Sequence, residues 1–187
     1  MHIPLIEKLK SIPGTIGIRL EEELPYKVIR SSPMLELREY QPFTLARVSH
    51  RGDFEAAKEA CFRQLAEFIF GKNTQHDVLE MTTPVFYDQK EDEWIMSFYL
   101  PDNVADTTPE NGNIKIERKN GKTVAAHRFS GNFDLESMDL ARRELLEVVR
   151  AQDLKPVSEV WWAQFDQPVS LPMTKRNEAL VVVTQPS

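Results

Sequence analysis

Two eleven-residue stretches constrain this chain more than any other feature. Thr44–Phe54 and Thr123–Phe133 align without a gap, and Thr, Ala, Gly and Phe are identical at four of the eleven positions. Each stretch begins with strand-like alternation and breaks at Gly52-Asp53 or Gly131-Asn132. Each is followed by an amphipathic helical pattern. In the first, Asp53 is a good N-cap, and Phe54, Ala57, Cys61, Leu65, Phe68 and Ile69 recur at helical spacing. In the second, the helix is expected over Leu135–Ala151, with Leu135, Met138, Leu145, Val148 and Val149 as its apolar stripe. A strand followed by a one-faced helix cannot bury its apolar side alone. Two copies predict an internal duplication, with two strand–helix halves packed about a pseudo-twofold axis.

The remaining segments fit that plan. Residues 3–11 suggest a short helix, stopped by Pro13-Gly14 and followed by a loop to about residue 23. Tyr26–Arg30 and Met34–Tyr40 read as strands, and Gln41-Pro42 turns the chain into the strand from Phe43. Met81–Tyr87 and Trp94–Leu100 suggest a hairpin, with Trp94, Met96, Phe98 and Leu100 on one face. Pro84 within it points to a sheet edge or a bulge. Asn120-Gly121 is the strongest turn signal, predicting a hairpin between Ile114–Lys119 and Thr123–Ser130. Val157–Phe165 and Ala179–Thr184 close the chain. The expectation is an α+β domain over residues 1–187, with residues 1–23 as an N-terminal extension. Its core would be a distorted, largely antiparallel barrel or curved sheet built from two β-α-β-β halves, with two main helices packed on it.

Charge and cysteine content exclude several function classes. The net charge is −6, with an isoelectric point near 5.3, which argues against generic binding to nucleic acid or anionic membranes. One cysteine, Cys61, rules out an internal disulfide, a CxxC pair and a covalent haem-attachment motif. No apolar run reaches membrane-spanning length, and the N-terminus lacks a secretory pattern. The chain is therefore expected to be cytoplasmic and monomeric. His2, His50, His76 and His127 form no zinc motif, so no structural metal is expected.

Several motifs are similar to those of the SOUL/haem-binding protein family. They are Leu35–Tyr40, Phe70-Gly71-Lys72-Asn73, Met81-Thr-Thr-Pro-Val85, Lys122–Gly131 and Arg176-Asn-Glu178. The likeness runs from about Tyr26 to the C-terminus. It implies a distorted barrel made of a duplicated half, and non-covalent binding of haem or another tetrapyrrole without enzymatic activity. Some relatives offer a histidine ligand in the segment matching Leu35–Tyr40, where this chain has Glu39. His50 and His127, on repeat-related strands and with the same side-chain parity, are the remaining axial candidates, each with a structural role as the alternative.

A binding wall can be read on the first helix. Phe62, Ala66 and Phe70 form a second stripe at i, i+4 and i+8, flanked by Lys58 and Arg63. Such a wall suits a flat macrocycle whose propionates stay near cations at the rim. The late loop would add Leu171 and Met173 as apolar contacts and Lys175 or Arg176 as cations, and the resemblance places haem contacts in these same two regions. Glu59 stands where some relatives are basic, which works against a propionate clamp there. Phe62 and Phe70 packed under a loop is the plainer alternative. Two other functions stay open. A GyrI-like hydrolase would set Glu178 or Glu159 in a pocket against Trp161 or Trp162. A partner-binding module would have no small-molecule cleft.

Overall fold

A computed structural model describes residues 22–104, 109, 112–165 and 175–184. The expected helix over residues 3–11 lies outside them, as do Leu171 and Met173. The first half of the chain contributes β1 (Glu22–Glu23), β2 (Tyr26–Ser31), β3 (Glu36–Tyr40), β4 (Phe43–Arg51), helix α1 (Phe54–Ile69), β5 (Thr82–Thr83), β6 (Val85–Lys90) and β7 (Glu93–Leu100). The second contributes β8 (Lys115–Lys119), β9 (Lys122–Phe129), helix α2 (Leu135–Ala151), β10 (Lys155–Pro156), β11 (Trp161–Gln164) and β12 (Asn177–Thr184).

The main sheet has the order β2-β3-β9-β12-β11-β6-β7-β4-β8, with β10 added on β12. Every pair in it is antiparallel; only the short β1–β5 ladder is parallel. The triplets β9-β12-β11 and β4-β7-β6 are one arrangement used twice, meeting between β11 and β6. The α+β class and the duplication are therefore both present in the topology.

One expected element does not form. The strands on either side of Asn120-Gly121 are not a hairpin: β8 pairs with β4, and β9 pairs with β3 and β12. The same happens across Gln41-Pro42, because β3 leaves β4 and joins β9. Each half thus lends its leading strand to the other half. Tyr40 lies opposite Lys122 and Phe43 opposite Lys119, so the two exchanging connections pass each other and the curled sheet meets itself there. A Cβ on Gly121 would lie 2.6 Å from the Tyr40 carbonyl oxygen. Glycine is needed for this close crossing rather than for a tight turn. Pro84 also differs from expectation. It follows a cis peptide bond in the break between β5 and β6, and β6 is flanked on both sides, by β7 and β11.

Both helices cover the convex face of the sheet. Phe54, Ala57, Cys61, Leu65, Phe68 and Ile69 of α1 are all buried, as are Met138, Leu145 and Val149 of α2; Leu135 is 51% exposed at the first helical position. Trp94, Met96, Phe98 and Leu100 are buried on this side of β7, as their spacing requires. Asp53 caps α1, its carboxylate accepting from Ala56 N at 3.0 Å. The second cap is Asp134, accepting from Ser137 N at 2.9 Å, two residues beyond the aligned Asn132. Phe133 is buried ahead of that cap, and its ring lies 6.1 Å from Phe54 and 4.8 Å from Tyr87. Gly52 and Gly131 both end their strands with positive φ, +121° and +99°, and a Cβ at either would meet nothing within 4 Å. The backbone angle, not crowding, selects glycine at both positions.

Candidate ligand-binding site

The concave face is apolar as well, and there the sheet encloses a cavity. Side chains alternate across each strand, so Phe43, Leu45 and Arg47 of β4 point opposite to Ala46 and Val48. Tyr40, Phe86, Trp161 and Leu180 join them on the concave side, around a cavity of about 460 Å³. Trp161 and Trp162 separate across β11. Trp162 is buried under α2, donating from Nε1 to the Met138 carbonyl at 3.0 Å, while Trp161 lines the cavity. Tyr40 is buried, and desolvation pushes its phenol up to about 12, so it stays neutral at physiological pH.

One side of the cavity is charged. Arg47 bonds Asp88 at 2.7 Å and also bonds Glu117, whose other oxygen accepts from Lys119 at 2.6 Å. Burial raises the Asp88 carboxyl above its ordinary range despite the Arg47 charge. Burial also pushes Glu117 upward, but hydrogen bonds from Lys119 and Arg47 outweigh it and the net direction is down. Arg118 and Lys122, both exposed, complete the rim.

Beyond Leu24 the concave face ends in a second ionic cluster. Arg38 grips Glu178 in a fork, at 2.5 and 2.9 Å, with both side chains buried. Arg176 donates to Glu178 at 2.9 Å and to the Tyr26 hydroxyl at 2.9 Å, and stacks on Phe165 at 3.7 Å. Burial would raise the Glu178 carboxyl, but the hydrogen bonds and charge of Arg38, then Arg176, hold it below the ordinary carboxylate range. It is an anion locked between two guanidiniums, unsuited to exchanging protons with a substrate.

The residues expected to form the binding wall fall on both sides of the sheet. Phe62 is half-buried on the convex side, edge-on to Phe98 at 6.0 Å. Ala66 is buried, Arg63 is exposed, and Phe70 is 44% exposed at the C-cap of α1. Lys175 is half-buried, and Arg176 sits in the concave cluster. His50 is exposed near the end of β4. His127 is buried, with Nδ1 2.8 Å from the Met34 carbonyl and Nε2 3.1 Å from Glu144. Both of its ring nitrogens are therefore engaged. Glu159 lines the cavity near Trp161, whereas Glu178 is held away in its ion pairs.

Sequence reasoning missed Tyr40, Phe43, Phe86 and the Arg47–Asp88–Glu117 cluster. The available signal was apolar character on both parities of the same strands. Leu180, Val181, Val182 and Val183 run without alternation, which marks a strand covered on both faces.

Known proteins place the fold and the family. No curated protein sequence matches the chain. Among solved structures, the C-terminal domain of EcmrR has a TM-score of 0.60 at 14% identity, covering 86% of this chain and 98% of its own. A hydrolase from Listeria innocua has a TM-score of 0.54 at 13% identity, covering 83% of this chain and 94% of its own. Identities this low carry the fold alone, a GyrI-like duplicated half-barrel. The family model described as SOUL heme-binding protein matches residues 21–182, from the start of β1 into β12. The chain belongs to the SOUL heme-binding protein family.

Proposed function

We propose that the protein is a cytoplasmic, monomeric, non-enzymatic binder of haem or a related tetrapyrrole, serving to buffer or deliver it. Membership of the SOUL family supports the ligand class. The aromatic-walled concave cavity is the observation that carries the place. Its volume lies within the range of about 300–1,000 Å³ usual for small-molecule sites. Tyr40, Phe43, Phe86 and Trp161 offer faces to a conjugated ring, and Arg118, Lys119 and Lys122 stand at the rim for propionates. Among the described residues that line it there is no His, Cys or Met. The lining thus fits the macrocycle and its carboxylates, and offers the iron no customary ligand beyond the neutral Tyr40 phenol.

A haemin titration followed by absorbance and tryptophan quenching tests this reading. Trp161→Ala is expected to weaken binding about tenfold, a difference of about 1.4 kcal/mol. The wall on α1, with Phe62, Arg63, Ala66 and Phe70 joined by Leu171, Met173, Lys175 and Arg176, is the other proposed seat. Loss of binding in Phe62→Ala, with Trp161→Ala unaffected, moves the ligand there. Absence of haemin and protoporphyrin binding in the folded protein sinks the proposal.

Asp88 supports a second reading. Its carboxyl is raised by burial and opens to the cavity, as a general acid or base requires. Hydrolysis of a small aromatic ester, abolished in Asp88→Asn while Glu159→Gln retains it, would favour that reading.

A further inference from the structure

The cavity is closed at one end by a strap that is held at few points among the described residues. Glu22 and Glu23 pair with Thr82 and Thr83, just before β6, while Tyr26 pairs with Tyr40 toward the opposite end of the sheet order. Residues 22–26 therefore cross the opening of the curled sheet from one half to the other. Glu22, Glu23 and Pro25 are exposed along this crossing. Within Glu22–Pro25, Leu24 turns inward, 3% exposed, into the cluster of Tyr40, Leu45, Phe86 and Leu180, and Tyr26 packs half-buried against the same cluster. It lines the cavity, and the Arg38–Glu178 cluster lies beyond it.

The fastenings are local. The Leu24 amide donates to the Thr83 carbonyl at 2.9 Å, and Glu23 meets Arg176 at 3.1 Å, both side chains partly exposed. Arg176 also holds the Tyr26 hydroxyl, so one guanidinium secures both ends of the crossing. A segment with one buried side chain and a two-residue ladder belongs to the least stable part of a structure. The wall it forms can be displaced without breaking the main sheet.

We infer that Leu24 determines the size of ligand the cavity accepts, and that the Glu22–Pro25 strap is the wall that yields to admit a larger one. This rests on the concave cavity being the ligand seat proposed above. A ligand that fits behind Leu24 binds with the strap in place. A longer one binds only the fraction of molecules with the strap displaced. If that fraction is about one in ten, apparent affinity for the longer ligand is reduced about tenfold relative to an open cavity.

The test uses two fluorescent probes of one chemistry and two sizes, anilinonaphthalene sulfonate and its dimeric bis form. Leu24→Ala is expected to raise affinity for the bis form about tenfold relative to the single form, since removing the side chain lengthens the cavity. The Glu23→Cys/Thr83→Cys variant, made in a Cys61→Ala background, ties the strap to β5 when oxidised. The oxidised protein is expected to bind the bis form about tenfold more weakly than its reduced form, and the single form equally. Equal binding of both probes by oxidised and reduced protein, or an unchanged size preference in Leu24→Ala, would overturn the inference. Protoporphyrin is titrated alongside. If it fails to bind while the paired probes behave as expected, the tetrapyrrole reading falls and the strap stands.

Discussion

Gly121 and Glu178 are single residues on which different parts of the structure depend. Any side chain at Gly121 meets backbone, because its first atom would lie 2.6 Å from the Tyr40 oxygen. Gly121→Ala is expected to cost about 1–3 kcal/mol in denaturant unfolding, as overpacking does. A Gly52→Ala change tests the contrast: it has open space, so its penalty comes from the positive φ alone. Removing one partner of the buried Arg38–Glu178 pair leaves a charge uncompensated, and Glu178→Gln should cost about 3–5 kcal/mol. The pair also gives stability a pH dependence. The Glu178 carboxyl is held below its ordinary value of 4.5. Its contribution is therefore complete above that value and is lost as pH falls through the lower, folded one. Asp88 works in the opposite sense: its raised carboxyl gains protons more readily when folded, so acid relieves its cost. Thermal unfolding between pH 5 and 2 should show wild-type stability falling, with a shallower slope in Glu178→Gln. For the ligand, the cavity lining predicts that iron-free protoporphyrin binds within about tenfold of haemin, or about 1.4 kcal/mol. A far larger gap, or a low-spin haem spectrum that disappears in His50→Ala or His127→Ala, would reveal an axial bond. Cys61 is not a competitor for that role, since it is buried under α1 and burial pushes its thiol up to about 11.

At the scale of elements, α1 shows what sequence pattern can resolve. Its core stripe is a 3.6-residue period, and all six residues assigned to it are buried. Phe54 contacts Trp94 at 4.8 Å and Tyr87 at 5.9 Å, so Phe54→Ala should cost about 3–5 kcal/mol. Phe62, half-buried against Phe98, should cost less in the same urea titration. Helices and strands were legible because each registers its own period over consecutive residues. The partner of a strand is not written that way. Asn120-Gly121 has the composition of a hairpin turn, but pairing is decided by which edge lies free nearby, and here two edges from different halves were exchanged. The cavity was hidden for a related reason. Phe43, Leu45 and Arg47 occupy the parity opposite to the helix-covered face, and only the curl of the sheet turns that face into an interior. The motif Arg176-Asn-Glu178 was visible as a signature, and the pairing of Arg176 with Glu178 was foreseeable at that spacing. The partner that buries the charge, Arg38, lies too far along the chain for spacing to indicate.

Across the whole molecule, the exchange of leading strands has a consequence for how such a chain can exist in parts. Each half completes its sheet with a strand owned by the other: β3 lies on β9, and β8 on β4. Phe54 and Phe133, equivalent by the repeat, touch across the axis. A half on its own has an uncovered edge where the borrowed strand belongs, and an exposed aromatic surface at the axis. Residues 22–104 expressed alone should therefore be largely unfolded at low concentration, and far-ultraviolet circular dichroism should regain sheet signal when residues 112–184 are added. A compact, monomeric half in sedimentation would refute this. Two identical halves could satisfy each other in the same manner, each offering its leading strand to its twin. Seen so, the chain is a strand-swapped homodimer whose subunits have been joined end to end. Joined copies need not stay alike: the position carrying His50 in one carries Phe129 in the other, and the concave cavity can draw different side chains from each.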